Sequence, residues 1–141
     1  MTARSLEAIF ALHRAVHAVG LALDAVPNAR VTQAEAFILA YLHGKRAATI
    51  AELHRAFGHR RSTLTAVVDR LVERGLASRE ASAQDRRSIV VRLSSSGMAL
   101  SRTLHRALTA LQDAALADSP KSDVAAFRRV LARFIRVAEK P

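Results

Sequence analysis

The feature that most constrains this chain is a four-residue device that occurs twice, Thr32-Gln-Ala-Glu35 and Thr49-Ile-Ala-Glu52. A threonine followed three residues later by a glutamate is a capping box. The hydroxyl accepts one orphan backbone N–H of a new helix, and the carboxylate accepts the N–H of the threonine itself. Phe37, Ile38, Tyr41 and Leu42 follow the first box, and Ile50, Leu53 and Phe57 follow the second, each set one-sided at helical spacing. Two helices must therefore start in quick succession.

Glycine and proline supply the remaining punctuation. Pro27, Gly44, Gly58, Gly75, Gly97 and Pro120 divide the chain into segments of helical length, and Gly20 alone lies inside one. In the first segment, Leu6 to Val26, the residues Ile9, Leu12, Val16, Val19 and Leu23 share one side, predicting a helix buried between other helices or subunits. Beyond Gly58 comes RRSTLTAVVDRLVERG, where Leu64, Val67, Val68 and Leu71 face inward and Gly75 is the stop. A short helix, a tight turn and a longer helix form the helix-turn-helix plan.

Only Leu76 to Arg79 and Ile89 to Leu93 have β character. In the second run Ile89, Val91 and Leu93 point one way and Val90 and Arg92 the other, as in a half-buried strand. Paired, the two runs form a hairpin whose polar loop carries Asp85, Arg86 and Arg87, a wing after the helix-turn-helix. After Gly97 the helical period returns, with Leu100, Leu104, Leu108 and Leu111 on one stripe. Ser119 and Pro120 fit a cap and first-turn proline for a last helix, where Val124, Phe127, Leu131, Phe134 and Ala138 repeat at heptad-like spacing. Long apolar seams beside so small a lobe predict a homodimer rather than a folded-back monomer. The expected fold is mainly α with a small β-hairpin wing, in a single domain of 141 residues. A winged helix-turn-helix lobe over residues 32–97 is flanked by N- and C-terminal dimerisation helices over 1–27 and 98–141.

Charge narrows the function. The chain has 22 Lys+Arg against 12 Asp+Glu, a formal net charge of +10, and all but three of the basic residues are arginine. That balance attracts polyanions. With one tyrosine and no tryptophan, single-strand binding by base stacking is disfavoured. No cysteine is present, which excludes disulfides and thiolate zinc sites. No apolar window is long enough to cross a membrane, and Arg4 and Glu7 interrupt the first apolar stretch, so a soluble, cytoplasmic protein with no membrane partner is expected. No nucleophile elbow, Gly-rich phosphate loop or His-Glu metal helix is found, so neither catalysis nor a cofactor is expected.

Two motifs then make the chain similar to a known family. Asp85, Arg87, Val91, Leu93, Ser94 and Gly97 fill every position of a wing motif, and Ser62, Thr63, Thr65, Arg70, Leu71, Gly75, Leu76 and Arg79 fill a recognition-helix pattern. On these residues the chain resembles the MarR family of winged helix-turn-helix transcription regulators. Ser94 stands where threonine is commoner, and His59 or Arg60 occupies a cap region that often holds Ser, Asp or Asn.

A helix in the major groove reads base edges with its first turns, which here present Arg60, Arg61, Ser62, Thr63 and Thr65. Arg60 or Arg61 is the expected bidentate partner of guanine. Arg70, further along, suits a phosphate. Ser62 and Thr63 serve equally as simple N-caps or as DNA contacts. The resemblance implies that Arg87 enters the minor groove while Asp85 orients it, a narrow groove being rich in negative potential. Arg86 is then a phosphate contact or a second minor-groove candidate. The function implied is a sequence-specific regulator of double-stranded DNA, a ligand-responsive repressor acting as a homodimer on a palindromic operator. The alternative is a non-specific or architectural DNA-binding protein. Family resemblance also implies a small-molecule effector held between the DNA-binding lobe and the dimerisation helices. His13 and His17, one turn apart and in line with Asp24, and Tyr41 near the end of the second helix are the candidate contacts. No third ligand follows from spacing, so no metal site is expected.

Overall fold

The computed structural model describes residues 5–140, so Arg4 lies outside the described residues. Among the described residues the order is α1 (Glu7–Asp24), α2 (Gln33–Lys45), β1 (Ala47–Thr49), α3 (Ile50–Phe57), α4 (Arg61–Glu73), β2 (Ala77–Ala81), β3 (Ile89–Leu93), α5 (Ser95–Leu116) and α6 (Lys121–Ala138). Two compact units divide the chain between Leu108 and Thr109.

Both capping boxes form as the sequence predicts. Glu35 N–H donates to Thr32 Oγ1 at 3.3 Å and Thr32 N–H to Glu35 Oε2 at 3.1 Å. The second pair is Glu52 N–H to Thr49 Oγ1 at 3.1 Å and Thr49 N–H to Glu52 Oε2 at 2.7 Å. That backbone N–H, first, holds the Glu52 carboxyl below its ordinary value of 4.5. In the first unit Ile38, Leu39 and Leu42 of α2, Leu53 of α3, Leu64, Val68 and Leu71 of α4, Val91 of β3 and Leu104 of α5 are fully buried in one core. Burying each such side chain stabilises the lobe by about 1.5–3 kcal/mol before entropy is counted.

The sheet differs from the expected hairpin. It has three antiparallel strands in the order β1-β3-β2, with Ala48 opposite Val91 and Arg79 opposite Val91 on the other side. β1, Ala-Ala-Thr, has no alternation to reveal it; it forms because β3 offers an edge to the chain as it leaves α2. Gly44 and Gly97 also fall within helices rather than at boundaries. Gly97 lies in the first turn of α5, where a Cβ would stand 1.8 Å from the Leu76 carbonyl oxygen. Helix and chain meet there without a side chain between them.

On α1, Gly20 and Leu23 are buried and Leu12 and Val19 half-buried, but Ile9 and Val16 are exposed. The expected five-residue face is thus only partly covered within one chain. Phe10 is 61% exposed, so α1 carries an open apolar stripe. In the second unit α6 buries no residue completely; Val124, Leu131 and Phe134 are half-buried, while Phe127, Val130, Ile135 and Val137 are exposed. Pro120 is the N-cap of α6 rather than its first helical residue. No helix among the described residues is long and apolar enough to cross a membrane.

Candidate nucleic-acid interface

The turn between α3 and α4 is fixed by one histidine. Gly58, at φ 70°, ends α3 and donates its N–H to the His54 carbonyl at 2.8 Å. The His54 ring lies 2.7 Å from the His59 carbonyl through Nδ1; a carbonyl only accepts, so Nδ1 carries the proton. Backbone and ring of one residue thus hold both sides of the turn.

From this turn α4 starts with Arg60 as its N-cap and with no side-chain cap bond. Ser62 and Thr63 therefore do not cap the helix, which removes one of their two expected roles. Arg60, Arg61, Ser62, Thr63 and Thr65 are all exposed, while Leu64, Val67, Val68 and Leu71 are buried. The first turn contains no acid. Uncapped N–H groups, the positive end of the helix and two guanidiniums together make an exposed site for anionic oxygen. Thr65 donates its hydroxyl to the Arg61 carbonyl at 2.9 Å and keeps its lone pairs for accepting.

Arg70 has a partner that the sequence did not announce. Its Nε donates to Glu35 Oε1 at 2.9 Å, and Arg74 Nη1 reaches Glu35 Oε2 at 3.3 Å. The Glu35 side chain is 4% exposed, against 47% for Arg70. The carboxylate that caps α2 thereby also anchors the far end of α4, and Arg70 keeps its outer nitrogens in solvent.

At the wing tip Asp85 acts on the backbone. Oδ1 accepts the Arg87 N–H at 3.0 Å, Oδ2 accepts the Ser88 hydroxyl at 3.4 Å, and the Asp85 carbonyl accepts the Ser88 N–H at 2.9 Å. Among the described residues no ion pair joins Asp85 to the Arg87 guanidinium, so the acid shapes the loop that carries the arginine. Arg86 and Arg87 are exposed. The wing is braced at its sides by Arg79 of β2 against Asp69 of α4 and by Arg92 against Glu80 at 3.4 Å. Its root is closed by Ser94, whose hydroxyl donates to the Gly75 carbonyl at 2.6 Å and accepts the Gly97 N–H at 3.0 Å, while its N–H donates to the Leu76 carbonyl at 3.1 Å. Ser94, which the sequence marks only as a motif position, and Gly97, which it marks as a motif position and a boundary, thus form a clamp between wing root and α5. The Asp69 and Arg79 pairing has no local signal, being ten residues apart across a turn.

The three candidate effector contacts are not gathered into one cavity. His13 and His17 line a depression of about 640 Å³ walled by α1 alone, together with Arg14, Ala18 and Leu21. Tyr41 is absent from that lining. It packs edge-on against Phe57 with ring centroids 5.4 Å apart, and its hydroxyl accepts Lys45 Nζ at 2.8 Å. That hydrogen bond raises the Lys45 pKa above its ordinary value. Among the described residues no three His, Cys, Asp or Glu side chains gather to hold a metal ion.

The MarR family model matches residues 31–88, the span from the end of the α1–α2 connection through the wing tip. None of the curated proteins matches the sequence significantly. Solved structures do. The PcaV transcriptional regulator from Streptomyces coelicolor, in complex with its natural ligand, is 25% identical with a TM-score of 0.78, covering 99% of this chain and 100% of that one. A probable transcriptional regulator from Pseudomonas aeruginosa is 27% identical, with a TM-score of 0.69 over 89% of this chain and 94% of that one. A mutant of MarR from E. coli, complexed with operator DNA, shares the fold at 23% identity and a TM-score of 0.66, over 92% and 98% of the two chains. By its helix-turn-helix, its braced wing and these likenesses, the chain is similar to the MarR family of winged helix-turn-helix transcriptional regulators, whose model its residues 31–88 match.

Proposed function

We propose that this regulator is a homodimeric, ligand-responsive repressor that binds a palindromic operator in double-stranded DNA within the cytoplasm. Transcriptional regulators of this family act by binding and are not enzymes. The observation that carries the DNA reading is the uncapped, acid-free start of α4, with Arg60 and Arg61 exposed beside Ser62, Thr63 and Thr65. In this reading that turn enters the major groove, with Arg60 or Arg61 bidentate to guanine. Arg87 enters the adjacent minor groove from a tip shaped by Asp85, while Arg86 and the outer nitrogens of Arg70 take phosphates.

Dimerisation is supported by the exposed apolar residues of α1 and, separately, of α6, each a stripe that water would otherwise cover. An effector at His13 and His17 is supported by the depression they line; one helix cannot enclose a ligand, so a second copy would have to complete the site. Tyr41 enters this proposal as a contact reached through movement of its Phe57 partner.

Footprinting on DNA flanking the gene, followed by competition at fixed salt, tests the proposal. A protected palindrome with half-sites about one helical turn apart is expected, with preference over random duplex of at least about a thousandfold. Equal affinity for all duplexes would overturn specificity and establish the architectural alternative.

A further inference from the structure

A second basic site lies at the root of the wing. Arg46, Arg92 and Arg102, from the end of α2, from β3 and from α5, line a cavity of about 460 Å³ with Ser94, Ser95 and Met98. This is within the range of about 300–1,000 Å³ typical of small-ligand pockets. Among the described residues no carboxylate lines it. Among the described residues Arg92 is paired with Glu80 at 3.4 Å, and neither Arg46 nor Arg102 has an ion-pair partner. Three guanidiniums less one carboxylate leave two positive charges facing a single cavity.

Arg46 sharpens the case. Its φ is 64°, in the half of the map that favours glycine, yet an arginine stands there with its carbonyl accepting the Leu93 N–H at 3.2 Å. The backbone at this position is tied to the β3 end of the cavity, which fixes where the guanidinium starts. β3 runs from the wing loop toward this cavity, so Arg92 lies five residues along the chain from Arg87, at most about 16 Å away. None of the side chains assigned to DNA lines the cavity.

We propose that this cavity is a binding site for a small dianionic oxyanion, a phosphomonoester with a short apolar body. Planar guanidiniums pair bidentately with phosphate oxygens, and a phosphomonoester carries about −1.5 to −2 at neutral pH, matching the excess charge. Met98 supplies an apolar contact for the body of the ligand. The site does not depend on the operator reading, which rests on α4 and the wing tip.

Phenyl phosphate is the probe, titrated calorimetrically into the full chain at low fixed salt, beside inorganic phosphate, phenol and a short duplex. Saturable binding at one molecule per chain is expected, tighter than inorganic phosphate, with phenol not binding. Arg46→Gly, which removes the charge and relaxes the backbone, and Arg102→Ala should each weaken it at least tenfold. Arg61→Ala should leave it unchanged. Absence of saturation, or equal loss in Arg61→Ala, would overturn the site. If the duplex displaces phenyl phosphate and both cavity variants lose duplex affinity as strongly, the arginines serve nucleic-acid backbone and the proposal is wrong.

Discussion

Glu35 of α2 and Arg70 of α4 are joined by a 2.9 Å hydrogen bond between Oε1 and Nε, with the carboxylate buried and the guanidinium half in solvent. The same carboxylate closes the cap of its own helix through Oε2. Glu35→Ala therefore removes a cap and a cross-helix anchor together. The loss should be about 2 kcal/mol, below that of a fully buried pair because both arginines can rehydrate. Glu35→Gln, which keeps the acceptor, should lose about half as much. Urea unfolding of the two variants checks both numbers.

Arg61→Ala and Arg87→Ala should separate the two readouts. Loss of a bidentate base contact costs about 1–3 kcal/mol and relaxes preference at one operator position. Loss of Arg87 should instead weaken binding most on operators with A-T-rich flanks, where the minor groove is narrow. Affinity measured on a panel of single-base operator variants distinguishes them.

Asp85 is bonded to the backbone of Arg87 and the hydroxyl of Ser88. Removing a negative charge from a loop proposed to face DNA would strengthen binding if charge alone mattered. Because the loop loses its internal ties, Asp85→Ala should instead weaken operator binding about three- to tenfold, the equivalent of one lost cap-type bond. Asp85→Asn, whose amide oxygen still accepts, should bind close to the parent. Fluorescence anisotropy with labelled operator gives the order.

Gly97→Ala should destabilise the lobe. The new methyl would meet a backbone carbonyl rather than a flexible side chain, so α5 or the chain at Leu76 must shift. Overpacking of this kind costs about 1–3 kcal/mol. In a chain of this size that lowers Tm by roughly 2–4 °C per kcal/mol.

The Glu52 carboxyl is held below its ordinary value mainly by the Thr49 N–H. A depressed carboxylate contributes stability that is fully present above the unfolded-state value, here 4.5, and is lost as pH falls through the folded-state value. Glu52→Gln should therefore flatten the stability profile below pH 4.5 and leave it parallel to the parent above it. Thermal unfolding across that window tests the sign.

Local devices are the most legible part of the chain. Both capping boxes, the Gly58 turn and the inward face of α4 depend on residues within a few positions of one another, and each stands as its sequence implies. What escapes is set at long range. β1 exists because β3 has an edge to offer, not because Ala-Ala-Thr favours a strand. Arg70 is legible as a charge, but not as one held by a glutamate from another helix. Glycine usually marks a boundary, but the reason for Gly97 is the approach of Leu76. Ile9 and Val16 carry the right period for burial, yet both are exposed, because period places residues on one face without supplying what packs against it.

The contact of Gly97 with Leu76 has a mechanical corollary. Interlocking methyls elsewhere in a protein can slide or rotate and so absorb a small displacement, whereas here peptide rests directly on peptide and Ser94 pins the joint. A tilt in the opening turn of α5 would therefore meet no side chain able to absorb it before it reached the chain entering β2, which places this helix to act on the β finger as a tiller acts on a rudder.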